Sequence, residues 1–207
     1  MLNSTAAENL LLLEQRRTQE LAYLYQLALD LMAHSDSPVN ITCDIVIDSV
    51  QVLLSCQSAT ILLRQNNIND GMYLAADRGD TSWLTDALVG QFVKRDRALA
   101  IKNPDGSSYL GVRLQTDTDW LGLLVAFRDA KNAPFNDDEI QLVTLIAGVT
   151  ATTLLNSRLR QSLTERLDTL QTIMESSPGG LLLVEVSNGQ LYLANPAAMQ
   201  EIGRAHV

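Results

Sequence analysis

The sequence predicts an α+β fold: an antiparallel sheet covered by helices on both faces, a long C-terminal helix, and the opening part of a second domain. Three observations carry this. Residues 109–115 and 121–128, joined through Thr116-Asp117-Thr118-Asp119, read as a hairpin. In its second strand Leu123, Val125 and Phe127 face one way and Leu124 and Ala126 the other. Such a sheet needs cover on both sides, unlike a half-exposed antiparallel sheet. A dense helix-start signal at Asn136 then opens a stretch with no Gly or Pro between Gly148 and Pro178. After Pro178-Gly179-Gly180 the pattern returns to short strands, and Asn195-Pro196 starts another helix.

The elements follow in order. Residues 6–33 lack Gly and Pro, and Leu21, Leu24, Ala28 and Leu31 make one apolar stripe at helical spacing. His34-Ser35-Asp36-Ser37-Pro38 breaks that helix. Ser37 is placed to cap the next, with Pro38 at its first position, where a missing N–H costs nothing. This helix runs to about residue 55 and carries Ile41, Ile45, Val46, Val50, Leu53 and Leu54. Residues 59–64 alternate as a strand, 66–71 form a turn ending in Asp70-Gly71, and 72–76 form a second strand. A helix over 81–94 places Leu84, Leu88 and Phe92 at fourfold spacing. A short strand, 98–101, precedes the Asn103-Pro104-Asp105-Gly106 loop and the hairpin.

At the long helix, Asn136 is the cap and Glu139 completes a capping box. Phe135 and Ile140 sit at the staple positions, and Asp137 and Asp138 complement the helix dipole. Continuous to Glu175, the helix is about 58 Å long at 1.5 Å per residue. Leu155, Leu159, Leu163, Leu167, Leu170 and Met174 form a seam close to a coiled-coil repeat but not strictly on one. Either a parallel twin from a second copy covers it, or it folds back on its own domain. Beyond it, residues 181–186 and 191–194 read as strands around a turn at 187–190. Some thirty residues there bury too little to fold alone and read as the front of an unfinished domain. The division is thus an N-terminal helix or linker (1–20), a central domain (21–157), a coiled-coil helix (158–175) and a truncated second domain (176–207).

Composition narrows the function. The 207 residues are 46% hydrophobic and 19% charged, with a formal net charge of −9. That charge argues against a nucleic-acid partner, which clustered Lys and Arg would serve. Neither a basic-then-apolar leader nor about 20 consecutive apolar residues occurs, so no membrane span is expected. Cys43 and Cys56 do not make a disulfide framework, and a cytoplasmic location is the expectation.

The order of a helix pair, two strands, a helix, a short strand, a hairpin and a closing helix resembles that of GAF domains. The residues carrying the resemblance are 58–64, the Leu121-Gly122-Leu123-Leu124 strand and Pro134-Phe135-Asn136-Asp137-Asp138-Glu139, within about 21–159. The tail resembles the opening of a PAS domain, on Ile173-Met174-Glu175-Ser176-Ser177-Pro178-Gly179-Gly180 and Asn195-Pro196-Ala197-Ala198. The GAF-helix-PAS order is common in sensor histidine kinases and occurs in diguanylate cyclases. The resemblance therefore implies a non-enzymatic sensory module with an output domain in cis.

GAF domains hold bilins, haem, cyclic nucleotides or small metabolites. Bilin attachment needs a pocket thiol, typically beside a His. Only His34 and His206 are present, both outside the central domain, and the family places Cys43 and Cys56 on the face opposite the pocket. Bilin is not expected, nor is haem, although a tyrosine ligand stays open. Lys131-Asn132 and Phe135 match the cyclic-nucleotide pattern poorly. A methionine-sulfoxide-reducing member would need reactive pocket cysteines, whereas these two read as buried helix residues. A small-molecule pocket between the sheet and the 81–94 helix would be lined by Trp83, Phe92 and Tyr109, or these aromatics fill the core. Trp120 reads as packing. Two functions follow: a ligand sensor relaying through a dimeric helix, or a dimerisation module with no ligand of its own.

Overall fold

The computed structural model describes residues 18–19, 21–34, 37–65, 71–184, 187 and 191–205. Contacts divide the chain into two units, to Arg158 and from Leu159. In the first, α1 (Leu21–Ala33) and α2 (Val39–Leu54) precede β1 (Ser58–Arg64), β2 (Met72–Arg78) and α3 (Asp86–Val93). Then come β3 (Leu99–Lys102), β4 (Ser108–Gln115), β5 (Trp120–Arg128) and α4 (Asp137–Ser176), whose last turns belong to the second unit. The expected turn at 66–70 lies outside the described residues, as does the start of the first helix. The flanks of that turn are closed, with Gln65 N donating to Gly71 O over 3.0 Å.

The five strands form one antiparallel sheet in the order β2-β1-β5-β4-β3. Strand alternation gives it two apolar faces. Ala59, Ile61, Leu63, Leu110, Val112, Leu114, Leu124 and Ala126 join the larger core with α1, α2 and α4. Leu62, Leu123 and Val125 join a smaller core under α3. The sheet is therefore covered on both sides, as the apolar hairpin requires. In β5 the predicted split of Leu123 and Val125 from Leu124 and Ala126 holds.

Several boundaries differ from expectation, each for a local reason. Pro38 is the cap residue of α2 rather than its first helical residue. Its ψ of 148° is extended, and Ser37 makes no capping hydrogen bond. The buried face of α2 is Thr42, Cys43, Val46, Ile47, Val50 and Leu54; Ile41 is exposed. Helix α3 starts at Asp86 instead of 81, because the Thr85 hydroxyl accepts from Leu88 N and fixes the cap one turn later. Residues 80–84 form a turn in which the Asp80 carboxylate holds Ser82 N and Oγ. In α1 the inward stripe is Leu24, Leu27 and Leu31, while Leu21 is exposed.

The start of α4 matches the sequence reading closely. Glu139 N donates to Asn136 Oδ1 and Asn136 N to Glu139 Oε2, both at 2.9 Å, which is a complete capping box. Leu142, Val143, Ile146, Ala147, Thr150, Ala151 and Leu154 face the core. Contrary to the composition argument, this helix is long and apolar enough to cross a membrane. The core helix of a soluble protein passes the same test.

The second unit continues from α4 into β6 (Leu182–Val184), β7 (Leu191–Ala194) and α5 (Pro196–Ala205), with β6 and β7 antiparallel. Asn195 organises it. Its Oδ1 accepts from Leu181 N (2.8 Å) and Ala198 N (2.9 Å), and its Nδ2 donates to Met174 O (3.0 Å) and Gly179 O (2.9 Å). The predicted Asn-Pro cap of α5 is thus present, and the same side chain also ties the end of α4 to the hairpin. Beside it, Leu167, Leu170, Met174, Leu193 and Met199 line an open cleft of about 940 Å³.

Candidate functional site: the aromatic face under α3

The three predicted pocket residues come together on the α3 side of the sheet. Trp83 arrives on the turn before α3, Tyr109 on β4 and Phe92 on α3. The indole lies 5.5 Å from the Tyr109 ring and stacks on Phe127 at 5.4 Å, with Tyr109 and Phe127 at 5.3 Å. These are offset ring contacts of the favourable kind. Trp83 Nε1 donates to Ser58 Oγ (2.7 Å) and to Asp80 O (2.5 Å). Its polar edge is thus satisfied by the protein, leaving the flat face for packing.

Phe92 is fully buried in the same cluster, against Leu62, Leu88, Leu123 and Val125. Its ring lies over Gly111. A Cβ added there would stand 2.3 Å from Phe92 Cδ1. The glycine is what lets the ring approach the sheet so closely. Phe92 is therefore core, while Trp83 and Tyr109 remain half-buried at the rim. Phe127 is the member of this group that the sequence reading did not single out, although its alternation with Leu123 and Val125 puts it on this face.

Further along the face, Trp120 sits between two guanidinium groups, Arg64 at 4.8 Å and Arg113 at 4.9 Å from its ring centroid. Its Nε1 donates to Gly122 O at 2.8 Å. Trp120 packs, as read from the sequence. Arg113 is held by Asp96 at 2.6 Å and by the Val93 carbonyl, which anchors the end of α3 to β4.

The cysteines lie on the other side of the sheet, in the core with α1, α2 and α4. Burial pushes the Cys43 thiol up to about 12, with the neighbouring Asp44 charge adding to the effect. Burial likewise raises Cys56 to about 11, against a lowering pull from Arg128. Neither has the thiolate character that thiol catalysis or metal binding needs. A thiol reagent at about pH 8 is expected to modify neither in the folded chain and both after denaturation, read as absorbance released per chain. The folded state holds these protons more tightly than the unfolded state, whose thiols titrate near the ordinary cysteine value of 9.0. Stability should therefore fall as the pH rises above about 9, and keep falling to about 12.

A second constellation, missed in the sequence, joins three elements behind the sheet. Arg128, 5% exposed at the end of β5, pairs with Glu139 at 2.8 Å. It also donates to the carbonyls of Ala133 (2.9 Å) and of Leu54, the last residue of α2. Its guanidinium lies 4.2 Å from the centroid of the Phe135 ring. Arg128 shares the strand parity of Leu124 and Ala126, so its inward direction was readable. Its partners, distant in sequence, were not.

The predicted helix seam divides. Leu155 packs against the core of the first unit. Leu159, Leu163, Leu167 and Leu170 are exposed, and Met174 is half-buried. Leu155 therefore does not belong to an open stripe: α4 is still a core helix at that turn.

No protein-family model matches the chain, and no curated protein matches its sequence. Solved structures do. The GAF domain of a protein described as a sensor histidine kinase, from Pseudomonas syringae pv. tomato, superposes with a TM-score of 0.58 at 18% identity. The match covers 74% of this chain and 96% of that one. Free methionine-R-sulfoxide reductase from Neisseria meningitidis, solved with its substrate, gives 0.56 at 15% identity over 69% and 93% of the two chains. The phycoerythrobilin-bound GAF domain of a cyanobacterial phytochrome gives 0.53 at 13% identity over 66% and 97%. These proteins differ in what they bind and do, so what they share with this chain is architecture: the GAF-like fold, which here is a five-stranded antiparallel sheet between helices.

Proposed function

We propose that this chain is the sensory or regulatory part of a multidomain signal-transduction protein of the histidine kinase kind. It would pass ligand occupancy or conformational state along a dimeric α4, and would not itself be an enzyme. The observation that carries this reading is α4. One 40-residue helix starts inside the first unit, capped by Asn136 and Glu139, and continues with exposed leucines at 159, 163, 167 and 170. Solvent gives a helix no reason to keep such a stripe, whereas a parallel copy does. The buried, protonated thiols support the non-enzymatic part. The PAS-like reading of the tail is supported by β6, β7 and the capped start of α5. An output domain in cis would receive the signal.

A second reading has its own observation. Phe92 is core, and Trp83 and Tyr109 pack against Phe127. This suits a dimerisation module, in a diguanylate cyclase or another signalling protein, that has no ligand of its own. Bilin and haem are outside both readings. Light scattering on the full chain at micromolar concentration tests the dimer, and a lone subunit would refute the relay. A thermal-shift screen of metabolite classes separates the two readings. Saturable stabilisation by one class supports the sensor, and none across the screen supports the ligand-free module.

A further inference from the structure

Strand β4 outruns its outer neighbour. β3 pairs with it only from Ser108 to Gly111, where Gly111 meets Leu99. Residues 112–115 have β5 on one side and no strand on the other. The chain leaves the sheet at Ala98, and α4 runs beside the gap. The result is a cleft of about 450 Å³, within the size range of small-molecule sites. Its apolar walls belong to the α4 side of the sheet, opposite the aromatic face.

Those walls are Ala98, Val112 and Ile140. Gly148 continues them without a side chain, and a Cβ built there meets nothing within 4 Å. Glycine inside a helix weakens it relative to alanine, so this position loosens α4 and leaves the cleft open. Most polar donors at the mouth are engaged. Thr144 Oγ1 donates to Ile140 O (2.7 Å) and Gln115 Nε2 to Asp96 O (3.3 Å). Arg113 pairs with Asp96 and donates to the Val93 carbonyl. Arg97 is the exception. It lines the cleft, is exposed, and makes no hydrogen bond or ion pair among the described residues. The lining thus holds two guanidiniums against one carboxylate. The α4 wall adds no charge, because residues 140–157 carry none. In a chain of −9 this is a locally positive cleft.

We propose that the cleft binds a small carboxylate with an apolar body, its carboxylate on Arg97 and its body against Ala98, Val112, Ile140 and the bare turn at Gly148. A guanidinium presents two parallel N–H donors that match the two oxygens of a carboxylate. With one surplus positive charge and Asp96 close by, a monoanion suits the site better than a doubly charged phosphate. Ile140, Thr144 and Gly148 belong to α4, so occupancy acts directly on the helix that the relay reading uses. Binding itself does not depend on that reading.

Amide NMR shifts of the full chain titrated with benzoate test this, with benzyl alcohol as the uncharged match. Benzoate is expected to move the amides of Arg97, Ala98, Val112 and Gly148 saturably at millimolar concentration, and benzyl alcohol to bind about tenfold more weakly. Arg97→Gln is expected to remove that difference by lowering benzoate affinity about tenfold, with the melting temperature unchanged. Gly148→Leu is expected to abolish binding by filling the cleft; should it fail to fold, Arg97→Gln decides. Equal affinity for the two probes, undiminished benzoate binding in Arg97→Gln, or retained binding in a folded Gly148→Leu overturns the inference. So do benzoate shifts confined to the Trp83 and Tyr109 face or to the cleft at Leu170 and Met199, and so does the absence of a saturable shift up to about 20 mM. None of these outcomes touches the dimer, which light scattering reads separately.

Discussion

Replacing Arg128 by alanine is expected to destabilise the first unit by about 3–5 kcal/mol, the cost of breaking a buried ion pair from one side. For a unit of this size that lowers the melting temperature by on the order of 6–20 °C. The loss is not mainly one of Coulomb attraction. Glu139 is left as a half-buried carboxylate without its cation, and the Leu54 and Ala133 carbonyls lose a donor. Calorimetry on Arg128→Ala, Glu139→Gln and the double variant separates these parts. Glu139→Gln keeps the capping box, since an amide oxygen also accepts from Asn136 N. The double variant should cost less than the sum of the two singles by at least about 1 kcal/mol. Strict additivity would show that the pair contributes nothing as a pair.

Phe92→Ala is expected to cost about 3–5 kcal/mol by emptying the core under α3. Gly111→Ala should cost about 1–3 kcal/mol for the opposite reason, overpacking. The new methyl would sit 2.3–2.6 Å from three atoms of the Phe92 ring, which is itself fully buried and has little room to retreat. In Phe92→Ala/Gly111→Ala the methyl meets no ring, so the second change should add little to the first. Denaturant midpoints at constant slope give all three values. If Phe92→Ala were neutral, the ring would be lining an open pocket, and the sensor reading would gain at the expense of the ligand-free one.

Strand alternation and helix-end chemistry made most of the architecture readable. The two-faced β5, the Asn136-Glu139 box and the Asn195-Pro196 cap each follow from a few adjacent residues, and each is present. The misplaced starts of α2 and α3 have different causes. The 81–85 segment offers more than one hydroxyl able to cap a helix, and Thr85 is the one that does, whereas the cap residue of α2 is Pro38, which has no side-chain oxygen to cap with. At the candidate site, the sequence brought Trp83, Phe92 and Tyr109 to one face of the sheet. It could not separate pocket lining from core, because both use the same side chains. Arg128 was missed for a different reason: three of its partners come from α2, α4 and the loop between β5 and α4. Sequence spacing carries no information about such a meeting.

The asparagine at 195 spends both halves of its amide, two acceptances on Oδ1 and two donations on Nδ2. No other natural side chain of that length offers the same set: aspartate lacks the donors and leucine lacks everything. One of the donations goes to a carbonyl in the last turn of α4. Advancing that helix by one residue would carry the carbonyl about 1.5 Å along its axis and about 100° around it, beyond the reach of the amide. The β6-β7 hairpin and the first turn of α5 are thereby indexed to a single rotational setting of the helix end, and any other setting must dismantle them before it can be occupied.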